Sequence, residues 1–217
     1  MLLACMCVAI FSCSTETMGQ RLSDVVKWNN GKAYLFYDTG QYVRFDIASD
    51  KADPGYPKPI ANNWLGIWEN KIDAALTWID GKVYFFKGSQ YIRYDMAKDQ
   101  ADEGYPADIS KFWHGLWERD IDSAVMWNDG YAYFFKGDKV MKYEVTEKHR
   151  PEILKIKDRF NGLWEEGIDA AVLWNSTTAF FFHGDRYVKY DVVHNKVLEL
   201  LETPAGLVMM RRPCGSA

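Results

Sequence analysis

Four aspartates, Asp24, Asp73, Asp122 and Asp169, sit at matching places in a sequence that repeats itself. Radial repetition brings like groups together at an axis. Carboxylates or backbone carbonyls converging there favour a hard cation such as Ca²⁺ or Na⁺. A plainer role is equally open, in which each aspartate hydrogen-bonds a backbone amide of its own unit. Other chemistry is sparse. There is no phosphate-cradling Gly-rich loop, dinucleotide fingerprint, His-Glu-x-x-His or Gly-x-Ser-x-Gly. Cys5-Met6-Cys7 has no second Cys/His pair at zinc-ligand spacing. No nucleophile has a positioned base, so an enzyme is not expected and catalytic residues are assigned to none. The 26 Lys and Arg are outnumbered by 30 Asp and Glu, without a basic block. That argues against nucleic acid, whose phosphates need clustered cations. No apolar run reaches about 18 residues, so no membrane-spanning helix is expected.

The elements that place the aspartates come in four units. Trp28, Trp78, Trp127 and Trp174 end the first strand of each and are 50, 49 and 47 residues apart. Such a period means a solenoid, an array or a propeller. A turn follows, Asn29-Asn30-Gly31, Ile79-Asp80-Gly81 or Asn128-Asp129-Gly130, whose Asn, Asp and Gly tolerate a tight hairpin. Next come an aromatic strand (Tyr84-Phe85-Phe86-Lys87 in unit 2), a glycine turn, and a strand of alternating aromatic and charged residues (Tyr91-Ile92-Arg93-Tyr94-Asp95). Each unit ends near a Trp or Phe followed by Gly, where a short helix is expected. The reading is an all-β, four-bladed β-propeller with a short helix closing each blade, whose sheets close radially to protect their edges. Aromatics at 16% supply the blade faces. The recurring Trp residues read as core. Trp64 and Trp113, before the closing Gly, read as partly exposed and suited to a surface patch. Arg44, Arg93, Lys142 and Lys189 read as a solvated face paired with acids.

The sequence resembles the hemopexin-like repeat family. The resemblance rests on the Asp-Ala start of the first strand, on Phe86-Lys87-Gly88-Ser89-Gln90-Tyr91-Ile92-Arg93-Tyr94-Asp95, on the Gly-Tyr-Pro loop and on the closing Gly-Leu-Trp. It runs over repeats at about 22–68, 71–117, 120–164 and 167–208, within a propeller of residues 21–208. The first repeat is one residue short between Asp24 and Trp28; an ungapped alignment puts Ser23 in the Asp place instead. The resemblance implies main-chain oxygens at Asp24, Asp73, Asp122 and Asp169 facing a cation at a tunnel mouth. It implies amides at Val25, Ala74, Ser123 and Ala170 holding an anion, chloride, deeper in. It implies a disulfide tying the first blade to the last, here Cys13 to Cys214. It also implies a non-enzymatic binding module for a protein or small ligand, with a carrier of haem or polyamine as the alternative. For haem, His114 and His183 are the candidates, but the histidines fall at unlike places with no evident pair, so haem is not expected in one chain. A monomer and a homodimer both remain open.

Residues 1–20 read as a leader and 209–217 as a tail. The first thirteen residues are apolar, as in a signal peptide, but lack a basic residue before Arg21. Met18 is the alternative start. Ile10-Phe11-Ser12-Cys13 also reads as a lipoprotein cleavage site, in which Cys13 carries a lipid anchor rather than a disulfide. The protein is therefore expected to be secreted, or else lipid-anchored at the cell surface.

Overall fold

The computed structural model describes residues 20–144 and 150–202. Residues 1–19 of the leader, the tail, Cys13, Cys214 and His149 lie outside the described residues.

Four antiparallel sheets follow one another along the chain. The first holds β1 (Leu22–Lys27), β2 (Lys32–Tyr37) and β3 (Gln41–Asp46), with the short β4 (Lys51–Ala52) and β5 (Lys58–Pro59) on its outer strand. The second holds β6 (Ala74–Thr77), β7 (Val83–Lys87), β8 (Gln90–Asp95), β9 (Gln100–Ala101) and β10 (Ala107–Asp108), then helix α1 (Ile109–Phe112). The third holds β11 (Ser123–Met126), β12 (Tyr131–Lys136), β13 (Lys139–Glu144) and β14 (Glu152–Lys155), then α2 (Ile156–Arg159). The fourth holds β15 (Ala170–Leu173), β16 (Thr178–His183), β17 (Arg186–Asp191) and β18 (Lys196–Glu202). The first strands β1, β6, β11 and β15 contact one another in a ring, which makes the sheets the blades of a four-bladed propeller. The expected helix per blade is present in two. In blade 1, Trp64 N–H donates to Ile60 O (3.1 Å) in a single turn, and blade 4 ends in β18 among the described residues.

Local chemistry explains the hairpins. In every blade the Asn or Asp of the first turn accepts a backbone N–H two residues on: Lys32 to Asn30, Lys82 to Asp80, Tyr131 to Asp129 and Thr177 to Asn175. The aromatic strands then interleave between blades. Trp64 meets Trp28, Phe36 and Tyr42 of its own blade and Phe85 and Tyr94 of the next, at ring separations of 5.0–5.7 Å. Trp113 and Phe160 repeat this at the next two seams. Trp64 and Trp113 are therefore 5% and 6% exposed, so neither is the surface patch expected of it. Gly66, after the closing Trp64, has φ +85°, and a Cβ there would lie 2.8 Å from the Ala101 Cβ of blade 2.

The ring closes by packing. Phe45 of blade 1 meets Trp174 of blade 4 at 6.0 Å, and Lys27 Nζ donates to Trp174 O at 2.7 Å. At the rim, Arg44 pairs with Asp53 and Arg93 with Asp102, as expected of a face paired with acids. Lys142 instead lies 3.9 Å over the Tyr131 ring.

Candidate functional site

The register of β1 decides what lies on the axis. Asp24 pairs opposite Phe36, as Ala74 does opposite Phe86, Ser123 opposite Phe135 and Ala170 opposite Phe182. Asp24 therefore belongs with Ala74, Ser123 and Ala170, and Ser23 takes the place of Asp73, Asp122 and Asp169. The ungapped alignment is the one the chain adopts. The shift between Leu22 and Asp24 is a β-bulge that absorbs Ser23. Asp24 is thus corrected from the mouth to the level beneath it.

At the outer level the three aspartates do the same thing. Oδ2 of Asp73 accepts from Gly88 N–H at 2.8 Å, Asp122 from Gly137 at 2.7 Å and Asp169 from Gly184 at 2.7 Å. Each closes the second hairpin of its own blade. Burial pushes the Asp122 carboxyl up; Gly137 N–H pulls it back, and Asp169 nearby pushes it up further. Ser23, the fourth member, is buried, and its hydroxyl has no protein partner.

These residues line a cavity of about 410 Å³ at one end of the axis. Asp38 and Asp120 add carboxylates to it, and Arg21 and Lys71 are its basic residues. Sequence reading missed these four. Three had a signal: Arg21, Lys71 and Asp120 each stand two residues before the outer-level member of their blade. Lys71 Nζ lies 3.4 Å from Asp73 Oδ1.

At the inner level Asp24 is completely buried. Its Oδ1 accepts from Val25 N–H at 2.8 Å and from the Ser123 hydroxyl at 3.3 Å, and its Oδ2 from Ala75 N–H at 2.6 Å. Burial pushes this carboxyl well above the ordinary carboxylate range. Hydrogen bonds from the amides of Ala75, Val25, Ala171 and Ala124 oppose that. Of the residues expected to offer inner amides, Val25 does so. In the other blades the amides belong to Ala75, Ala124 and Ala171, one residue beyond Ala74, Ser123 and Ala170. Beyond Asp24, a second cavity of about 290 Å³ is lined by Val25, Ala75, Ala124 and Ala171 and the residues that follow them.

The axis offers oxygen donors of the hard kind that suits Ca²⁺ or Na⁺. Among the described residues, no three Asp, Glu, His or Cys side chains come together as metal ligands. His114 is exposed in blade 2, while His183 packs on Trp164 at 5.5 Å in the opposite blade, so the two form no pair. No described helix is long and apolar enough to cross a membrane.

Four blades around an axis with an acidic mouth define a small closed propeller. The chain belongs to the hemopexin family: the family profile described as Hemopexin matches residues 22–69, 72–118 and 121–165. The fourth blade falls outside those matches and is present in the structure. Among solved structures, a hemopexin-fold protein from cow pea is 22% identical, covering 84% of this chain and 93% of its own at a TM-score of 0.68. A plant albumin from Cicer arietinum described as showing hemagglutination is 22% identical over the same shares, with a TM-score of 0.70. A plant lectin from Cicer arietinum described as having two metal binding sites is 24% identical over 79% and 86%, with a TM-score of 0.61. At these identities the likeness speaks to the fold.

Proposed function

We propose that this chain is a non-enzymatic binding module, exported from the cell, whose axial mouth holds a hard cation and so orders the loops that meet a protein or small-ligand partner. One observation carries the reading. Five carboxylates (Asp38, Asp73, Asp120, Asp122 and Asp169) face two basic residues around the mouth cavity. Focused negative potential of this kind raises the local cation concentration. The outer-level residues Ser23, Asp73, Asp122 and Asp169 would hold the ion through main-chain oxygens. When bound, the ion would neutralise the mouth and tie four blades at one point. The albumin and lectin neighbours make a binding role reasonable for this fold, and the metal sites named for one lectin make a cation reasonable.

The test is a calcium titration at low ionic strength, read by calorimetry and by the thermal unfolding midpoint. Saturation at roughly millimolar Ca²⁺, the range of extracellular modules, is expected. Asp73→Asn combined with Asp169→Asn should weaken it. No calcium or sodium dependence in either protein sinks the cation reading. The same acidic mouth favours a second reading, a carrier of small polycations. Spermidine binding that weakens with salt and competes with Ca²⁺ would select it. Haem would need histidines from two chains, and a hemin titration that shows no saturable Soret shift removes it.

A further inference from the structure

Each blade's first strand is paired on one side only, and its other edge faces the axis. The N–H groups of Val25 and Ala75 donate to the Asp24 carboxyl there at 2.8 and 2.6 Å, and those of Ala124 and Ala171 lie near enough to act on the same group. Four buried amides at one spot need an acceptor, because an unpaired buried N–H is rare and costly. They form a nest for an anion, of the kind successive backbone amides make elsewhere. Blades 2, 3 and 4 leave room for one, since the residues at that level are Ala74, Ser123 and Ala170. Blade 1 fills it with Asp24.

We propose that Asp24 is a tethered anion: its carboxylate occupies the four-amide nest, joins all four blades at one point, and excludes any free anion from the axis. Both oxygens meet donors, the amides on each side and the Ser123 hydroxyl on one. The amides can only donate, so the arrangement suits an acceptor, and they oppose the upward push of burial on the carboxyl. The carboxylate also separates the mouth cavity from the apolar cavity beyond; neither is lined by Asp24 itself. The ligand class of the nest is a small monovalent anion, such as a halide or formate, and the chain brings its own. This holds whether or not the mouth takes a cation.

The proposal is tested on the full chain with Asp24→Ala and with bromide and formate as probes. The variant should unfold with an equilibrium constant larger by about tenfold or more, since buried amides lose their acceptor. Formate should restore its unfolding midpoint saturably, beyond any change in wild type at equal salt. Crystals of the variant soaked in bromide should show an anomalous peak on the axis among the four amides, and wild-type crystals none. An axial bromide peak in wild type overturns the proposal. So does a folded variant with neither rescue nor peak. If Asp24→Ala does not fold, the smaller change Asp24→Ser takes its place, and the wild-type soak decides by itself.

Discussion

Blade 1 and the other three blades use an aspartate in opposite ways. In blades 2 to 4 it stands at the outer level and closes its own hairpin on the amide of Gly88, Gly137 or Gly184. In blade 1 it stands one residue later and reaches across the axis to amides of other blades. Side chains alternate along a strand, so a one-residue shift redirects a carboxylate wholly. The blade-1 hairpin manages without the cap: Gly40 N–H donates to Tyr37 O, while Asp38 and Arg21 exchange backbone and side-chain bonds at 3.0 Å. The same residue type thus holds one blade together locally, or all four together at the centre.

The largest effect should come from Asp24→Asn. A carboxamide brings N–H donors to a spot already crowded with donors, and the loss should be about 3 kcal/mol by urea denaturation. Removing a local cap is a smaller matter. Asp73→Ala, Asp122→Ala and Asp169→Ala should each cost about 1 kcal/mol, the usual worth of such a side-chain-to-amide bond at a partly exposed site. The three should resemble one another. If Asp24→Asn costs no more than they do, the contrast between blade 1 and the rest is broken.

A pH measurement sharpens the contrast from the rim, where blades 1 and 2 are alike. Lys32 bridges Asp46 and Asp53 in one, and Lys82 bridges Asp95 and Asp102 in the other. The hydrogen bond from Lys82 first, helped by the amides of Lys98 and Ala97, holds the Asp95 carboxyl down to about 2. Asp46 is likewise lowered, first by Lys32. A carboxyl lowered in the folded state stabilises above its unfolded value, near 3.8, and that stability is lost as pH falls toward 2. Lys82→Met should flatten this acid limb for blade 2 by lowering stability near neutral pH toward its acid value, since the stabilisation from this part-buried pair is present only above the carboxyls' unfolded value.

Much of this architecture was legible before any coordinates. Turn residues and period-two alternation mark the strands, because both are local rules. The register of blade 1 stays open in the sequence because both alignments satisfy the local pattern. A signal was present nonetheless: Asp24 stands four residues before Trp28, as Ala74, Ser123 and Ala170 stand before their own Trp. Trp64 and Trp113 depart from the expected exposure for a different reason. Their burial depends on rings from the neighbouring blade, such as Phe85 and Phe134, and no pattern within one repeat reports that packing. The inner amides of Ala75, Ala124 and Ala171 were equally out of reach, since backbone direction at the axis follows from strand pairing and not from side-chain type.

The smallest effect should be Ser23→Ala, and it is the most discriminating about the mouth. Ser23 occupies the place where three other blades carry a working aspartate, so equivalence by position would give it a comparable cost. Its environment argues otherwise. The Ser23 hydroxyl is buried without a protein partner, and the N–H of Asp38, the counterpart of the Gly88 amide, already donates to Arg21 O. Removing the hydroxyl should change stability by no more than about 0.5 kcal/mol in the absence of calcium. A main-chain oxygen at position 23 survives the substitution, so calcium affinity should also hold. A loss of calcium binding in Ser23→Ala would mean that the hydroxyl itself is a ligand, and the mouth would then be asymmetric by design of its side chains rather than by the position of one aspartate.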